Sequence, residues 1–322
     1  MRNILITGGA GFIGSNLSGY LLEKGKQVIS IDNFMLGTKR NINAFLGDKN
    51  YISVEADVKN IEQLTEIIEK YKVDTIFHLA ANSDIRKSLE HPHLDYDNTL
   101  MTTYCVLEAM RRTSAKKLFF ASSSAIYGNL CGKERLSEHD QTNPISYYGS
   151  AKLASEAIIS SYAYINQMNV VVFRFPNMVG NNLTHGVIHD FIKKLKRNPY
   201  ELKILGDGTQ RKPYMHVSDL IKAIMKIMES GTDGVEIYNV GVDTDTSVTE
   251  IADFVCQALN LKNVRYLYTG GSEGWMGDVP YYKFDLTKIH STGWKAVYTS
   301  NEAILKTLGI FSRNSASIRE RA

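Results

Sequence analysis

The chain has 322 residues, 43% hydrophobic and 22% charged, which excludes a disordered, collagenous or disulfide-scaffold protein and suits one large domain with a smaller lobe. Its 37 basic and 34 acidic residues leave +3, too small an excess to define a nucleic-acid surface, so nucleic acid is not an expected partner. No run reaches the roughly 18 apolar residues of a membrane helix, the opening MRNILITGG reads as a core strand entering a turn, and Cys105, Cys131 and Cys256 form no C-x-x-C pair. A cytoplasmic protein with reduced, mostly buried thiols is expected, with no membrane partner.

Short β-branched runs predict strands over 3–7, 27–32, 51–55, 75–79, 117–122 and 170–175. Amphipathic stretches between them predict helices over 12–24, 61–71, 94–112 and 148–166. Strands alternating with helices of this length imply βαβ crossovers, hence an α/β fold with a doubly wound parallel sheet. After residue 175 the rhythm loosens into turn-rich PNMVGNNLTHG, LGDGTQRKP and a glycine-rich 270–280 segment. The division expected is therefore 1–175 for the main domain and 176–322 for a smaller C-terminal substrate-binding lobe, with IYNVG at 237–241 returning to the main sheet. The tail from residue 312 reads as a loosely held terminus.

Gly9, Gly11 and Gly14 make G-x-G-x-x-G directly after the first strand and at the start of a helix, where backbone amides and the helix dipole can hold a pyrophosphate. Asp32 ends the second strand 18 residues after Gly14, where a carboxylate accepts from ribose hydroxyls and repels a 2′-phosphate, favouring NAD over NADP. Asp57, after the third strand, has two readings: contact with the adenine edge, or capping of the 61–71 helix.

Tyr148 and Lys152 stand four apart on one helical face, so an ammonium can favour the phenolate and lower the phenol from its usual value of about 10. Upstream, Ser122, Ser123 and Ser124 end the fifth strand at the carboxyl edge where open α/β sheets bind ligands. A hydroxyl there can hold the substrate oxygen whose proton the tyrosine takes.

The succession T-G-G-A-G-F-I-G (7–14), H-L-A-A (78–81), S-S-S-A-I-Y-G (122–128), Y-Y-G-S-A-K (147–152) and R-F-P-N (174–177) resembles the extended short-chain dehydrogenase/reductase family over nearly the whole chain. Within it the likeness is to NAD-dependent nucleotide-sugar epimerases and dehydratases, most of all UDP-hexose 4-epimerases. The resemblance implies a Rossmann-type domain with Ser123, Tyr148 and Lys152 catalytic. It puts NAD against Gly8, Gly11, Phe12, Ile13, Gly14, Asp32, Asn33, Asp57, Val58, Leu79, Ala80, Ala81 and Asn98, besides Tyr148 and Lys152. Substrate contacts carried over are Ser123, Ser124, Tyr148, Asn177, Gly186, Val187, Lys203, Leu205, Lys212 and Trp275. It also implies a homodimer that pairs the helices over 94–112 and 148–166, and Ala154, Ile158 and Tyr162 could supply an apolar stripe there or face the sheet.

The dehydratases of this family follow the catalytic Ser/Thr with Asp-Glu, the acid and base that expel water; here those positions are Ser124 and Ala125. The expectation is therefore C4 epimerisation of a UDP-hexose or UDP-hexuronate through a 4-keto intermediate; a role in surface-polysaccharide synthesis is implied by the resemblance alone. The alternatives are an NAD(P)-dependent reductase, dehydrogenase or dehydratase, and a non-catalytic dinucleotide sensor or RNA-associated scaffold. Two departures stand out: Lys212 replaces a usual phosphate-binding arginine, losing its bidentate fork, and Trp275 replaces a second one, with Arg211 or His185 as candidate substitutes. G-W-x-G-D segments like 274–278 do occur in archaeal-type and some bacterial 4-epimerases. Tyr282 falls where bulk excludes acetamido sugars. No metal is expected: His185 and His189 precede Asp190, but no glutamate follows His185 and no third histidine is nearby, and the basic run Lys193, Lys194, Lys196 and Arg197 reads as a solvated helix face.

Overall fold

The computed structural model of the protein describes residues 3–129, 134–231 and 233–310. The expectations for Cys131 and for the tail from residue 312 therefore lie outside the described residues. Six short, mostly apolar runs form strands: β1 (Asn3–Thr7), β2 (Gln27–Asp32), β3 (Tyr51–Glu55), β4 (Thr75–His78), β5 (Lys117–Ser123) and β6 (Asn169–Phe175); all but β3, which lies at the sheet's edge with Ser53 and Glu55 exposed, are buried on both faces along most of their length. A seventh, β7 (Val235–Asn239), pairs parallel with β6 from Val235 opposite Val170. The chain thus does return to the sheet, two residues earlier than the pattern predicted. The order is β7-β6-β5-β4-β1-β2-β3, all parallel.

Alternation along the strands builds two cores. Ile4 and Ile6 join Phe77, Phe119 and Phe173 on one face, covered by Leu17 and Leu21 of α1 (Phe12–Glu23). Leu5, Ile29, Ile76 and Phe120 face the other way, under Leu64 and Ile68 of α2 (Ile61–Lys70), Val106 and Met110 of α3 (Met101–Arg111) and Ile159 of α4 (Tyr147–Asn166). The single helix predicted over 94–112 is interrupted: His93–Asp95 leads into a π-helical turn, Tyr96–Leu100, before α3. Thr102 and Thr103 donate their hydroxyls back to the carbonyls of Asn98 and Thr99 (3.1 and 2.7 Å), the kind of competition that perturbs a regular helix.

A third core gathers residues after β6. Ile188, Phe191 and Leu195 line the inner face of α5 (Val187–Arg197), each worth about 1.5–3 kcal/mol on burial, and meet Leu202, Ile204, Ile251, Val255 and Ile304. By contrast α6 (Val217–Ser230) turns Ile221, Ile224 and Ile227 into the first core, so the later half of the chain serves both bodies. Because the main strands are parallel, their carboxyl ends share one edge. β1 lies between β4 and β2, the switch point of such a sheet.

Candidate active site

A cavity of about 520 Å³ follows that edge. Its walls include each residue carried over for NAD, from Gly8 and the glycine loop through Asp32, Asn33, Asp57, Val58, Leu79, Ala80, Ala81 and Asn98. The chain is built to make room there. A Cβ on Gly14 would stand 2.3 Å from the Gly8 carbonyl oxygen, so only glycine lets the helix start against the loop. Asp32 accepts from the backbone N–H of Ala10 (2.9 Å) and Phe34 (2.8 Å), pinning the loop to the end of β2. Burial raises its carboxyl and these donors oppose the rise; its remaining lone pairs can still take ribose hydroxyls. The cap of α2 is Asn60, which accepts from Gln63 N–H at 3.1 Å; Asp57 instead takes Asn33 Nδ2 (3.2 Å) and borders the cavity. These residues fit a dinucleotide.

At the end of β5, Ser123 Oγ accepts from Ala125 N–H (3.2 Å) and borders the cavity together with Tyr148. Ser146 caps α4 by accepting from Gly149 N–H (3.1 Å), which sets Tyr148 and Lys152 one turn apart over the same edge. The Lys152 ammonium donates to the Ala121 carbonyl (2.6 Å) and lies 5.8 Å from the Tyr148 ring centre. The expected lowering of the phenol is not what the protein alone produces. Burial pushes Tyr148 up to about 12 against the opposing influence of the Ser123 hydroxyl, and pushes Lys152 down to about 7 although Glu156 and Asp95 hold it up.

A buried network that sequence reading missed anchors α4. Glu156 accepts from Arg174 Nε (3.1 Å) and Nη2 (2.6 Å) and from the Ser122 hydroxyl. Arg174 Nη1 also donates to Tyr127 (2.9 Å), whose hydroxyl reaches Asn239 on β7 (2.8 Å). The signal was present as the arginine of R-F-P-N, yet nothing local names its partner.

Toward the other end lie Ser124, Asn177, Gly186, Val187, Leu205, Lys212 and Trp275. Ser124 donates to the buried Tyr282 hydroxyl (2.9 Å), and burial raises the Tyr282 phenol. Lys203 is placed differently from the rest: it is exposed on Glu201–Ile204 outside this lining, because strand alternation turns its neighbours Leu202 and Ile204 into the core. Lys212 borders the cavity but is ion-paired with the buried Asp278, which also accepts from Gly274 N–H (3.1 Å). Of the two candidate substitutes for the missing arginines, Arg211 pairs with Asp245 (2.5 Å) and Glu250 (3.0 Å), whereas His185 borders the cavity.

Lys194 is more than a solvated cation. It pairs with Asp190 (2.9 Å), donates to the Lys203 carbonyl (3.0 Å) and joins the lining. Sequence reading also missed Asp84 and Gln210, both on the cavity wall. Among the described residues, no group of three or more His, Cys, Asp or Glu is arranged to hold a metal, and no helix is long and apolar enough to cross a membrane.

A glycine loop at the switch point of a parallel sheet, with serine, tyrosine and lysine at its edge, is an arrangement that can hold a dinucleotide beside groups able to move a proton. Residues 4–241 match the model of the NAD-dependent epimerase/dehydratase family, and the chain belongs to that family. It is 32% identical to a candidate UDP-glucose 4-epimerase of Methanocaldococcus jannaschii, over 97% of this chain and 99% of that one. The crystal structure of a UDP-galactose 4-epimerase superposes with a TM-score of 0.83 at 34% identity, covering 96% of this chain and 98% of the other. The mouse dTDP-D-glucose 4,6-dehydratase is 27% identical over 97% of this chain and 89% of its own length.

Proposed function

We propose that the protein interconverts C4 epimers of a UDP-linked hexose or hexuronate through a transient 4-keto sugar, with no net redox change. The observation that carries this reading is the meeting of Ser123, Tyr148 and Lys152 at the sheet edge, followed by Ser124 and Ala125 where dehydratases carry Asp-Glu. Bound NAD, held by the glycine loop and Asp32, would supply the hydride acceptor and donor for C4. Tyr148 takes the C4 hydroxyl proton and gives it back, while Ser123 holds the same oxygen in line. A phenol near 12 is a poor base at neutral pH, so positive charge beside it is needed, and Lys152 in its charged form supplies it.

Asp84 favours a second reading. It brings one carboxylate to the cavity wall, and a dehydratase needs carboxyl groups to remove water after oxidation. Proton NMR of purified protein with sub-stoichiometric NAD, incubated separately with UDP-glucose, UDP-galactose and UDP-glucuronate, separates the possibilities. A mixture of C4 epimers is expected. A 4-keto-6-deoxy product would establish the dehydratase instead, a demand for stoichiometric NAD(P)H a reductase, and absence of conversion would refute both carbohydrate readings for these substrates.

The same reading includes a homodimer through α3 and α4, on which Met101, Tyr104, Tyr164 and Ile165 are exposed. Tyr162 is turned to its own chain, donating to Glu108 at 2.6 Å. Sedimentation at micromolar concentration should show a dimer; a monomer alone would refute it.

A further inference from the structure

Asp95 closes the short helix His93–Asp95 just before the π-helical turn and is 0% exposed. One carboxylate oxygen accepts from Asn82 Nδ2 at 2.7 Å; the other has no hydrogen-bond partner among the described residues. A carboxylate taken out of water with an oxygen unanswered needs a compensating charge nearby. The short helix packs against α4, which carries Tyr148 and Lys152. Burial raises the Asp95 carboxyl, and the Asn82 bond and the charge of Lys152 oppose the rise. Within electrostatic reach of Lys152 come Tyr148 and Glu156 on its own helix, His78 from β4, which burial keeps neutral, and Asp95. Glu156 is already taken by Arg174 at 2.6 Å, so Asp95 is the carboxylate left to balance the ammonium.

Asn82 connects the same carboxylate to the cavity wall. It is 4% exposed; its main-chain N–H donates to the Thr99 hydroxyl (3.2 Å) in the π-helical turn, and its side-chain oxygen accepts from the Asp84 N–H (3.2 Å). Its neighbours Ala81, Ser83, Asp84 and Ile85 all line the cavity. The interrupted helix therefore grips this wall at two points, Asp95 and Thr99.

We propose that Asp95 is a positioning residue for the proton-transfer centre: its carboxylate is the counter-charge of the Lys152 ammonium and, through Asn82, it fixes the 81–85 wall of the cavity. This rests on the role given to Lys152 in the epimerase reading above. It separates two duties, charge carried by Asp95 and wall geometry carried through Asn82.

The test is an NMR titration of the NAD-loaded protein carrying isotope-labelled lysine, with the Lys152 signal identified by its loss in Lys152→Arg. Asp95→Asn keeps an acceptor for Asn82 and removes the charge; Asn82→Ala keeps the charge and removes the link to the wall. In Asp95→Asn the Lys152 midpoint should fall by about one pH unit, and the alkaline limb of the epimerisation rate should fall with it while KM for the UDP sugar stays as in the wild type. Asn82→Ala should leave the midpoint in place and raise KM severalfold. An Asp95→Asn midpoint equal to the wild type overturns the inference, as does an Asn82→Ala midpoint that falls equally far. Should Asp95→Asn fail to fold, Lys152→Met tests the coupling from the other side: the Asp95 carboxyl should titrate about one pH unit higher than in the wild type, and no change overturns the inference. The titration needs no turnover. A shifted midpoint in a protein that converts no UDP sugar would therefore sink the function and leave the charge pairing standing, whereas epimerisation with an unmoved midpoint would do the reverse.

Discussion

Glu156→Gln removes one charge from the network that ties the catalytic helix to the sheet. Glu156 and Arg174 are 6% and 5% exposed, and the carboxylate takes both Arg174 nitrogens and the Ser122 hydroxyl. An amide in its place must turn its NH2 toward one of these donors, leaving the guanidinium buried without its counter-charge. Breaking such a pair costs about 3–5 kcal/mol. With an unfolding entropy of about 2.1 cal/mol/K per residue, a cooperative unit of this size loses about 4–7 °C in Tm. Glu156 also holds Lys152 charged, so the activity of the variant should fail at lower pH than the wild type as Lys152 deprotonates earlier. Calorimetry and a pH–rate profile measure the two effects. The double variant Glu156→Leu with Arg174→Met, which removes both charges, should be less destabilised than Glu156→Gln. A single variant within about 1 °C of wild type, with an unmoved profile, would refute the assignment of Glu156 as a positioning residue.

Tyr148→Phe should lower kcat by about 10²–10⁴ while leaving bound NAD in place; near-normal turnover would put the proton path elsewhere. Gly14→Ala, with its Cβ 2.3 Å from the Gly8 carbonyl, should lower NAD occupancy measured by absorbance, and wild-type occupancy would count against the tight-cradle argument. His78 is buried between the hydroxyls of Thr7 (2.7 Å) and Thr103 (3.1 Å), and burial lowers it from 6.5 to about 3. Between those values the unfolded chain binds a proton that the folded one refuses, so stability rises with pH there and up to about 5 kcal/mol is lost on acidification. His78→Gln should flatten the acid limb of the stability curve, and an unchanged limb would remove His78 as its cause.

What could be read from the chain in order was whatever local covalent geometry constrains. Interior parallel strands must be apolar on both faces and the edge strand β3 on at least one, so β1 to β6 were visible to within a residue or two at each end. A phosphate loop must have glycine where backbone crowds backbone, and groups four apart on a helix must share a face, so Gly14, Asp32, Tyr148 and Lys152 were legible too. Tertiary structure decided what those groups experience. Lys212 meets Asp278 across 66 residues and Glu156 meets Arg174 from another element; local pattern does not specify such encounters because chain crossings bring the groups together. The π-helical turn before α3 likewise escapes a periodicity argument. The sign of the shift at Tyr148 followed the same division: spacing placed a cation beside a phenol, but the depth at which the fold buries both made desolvation the larger effect.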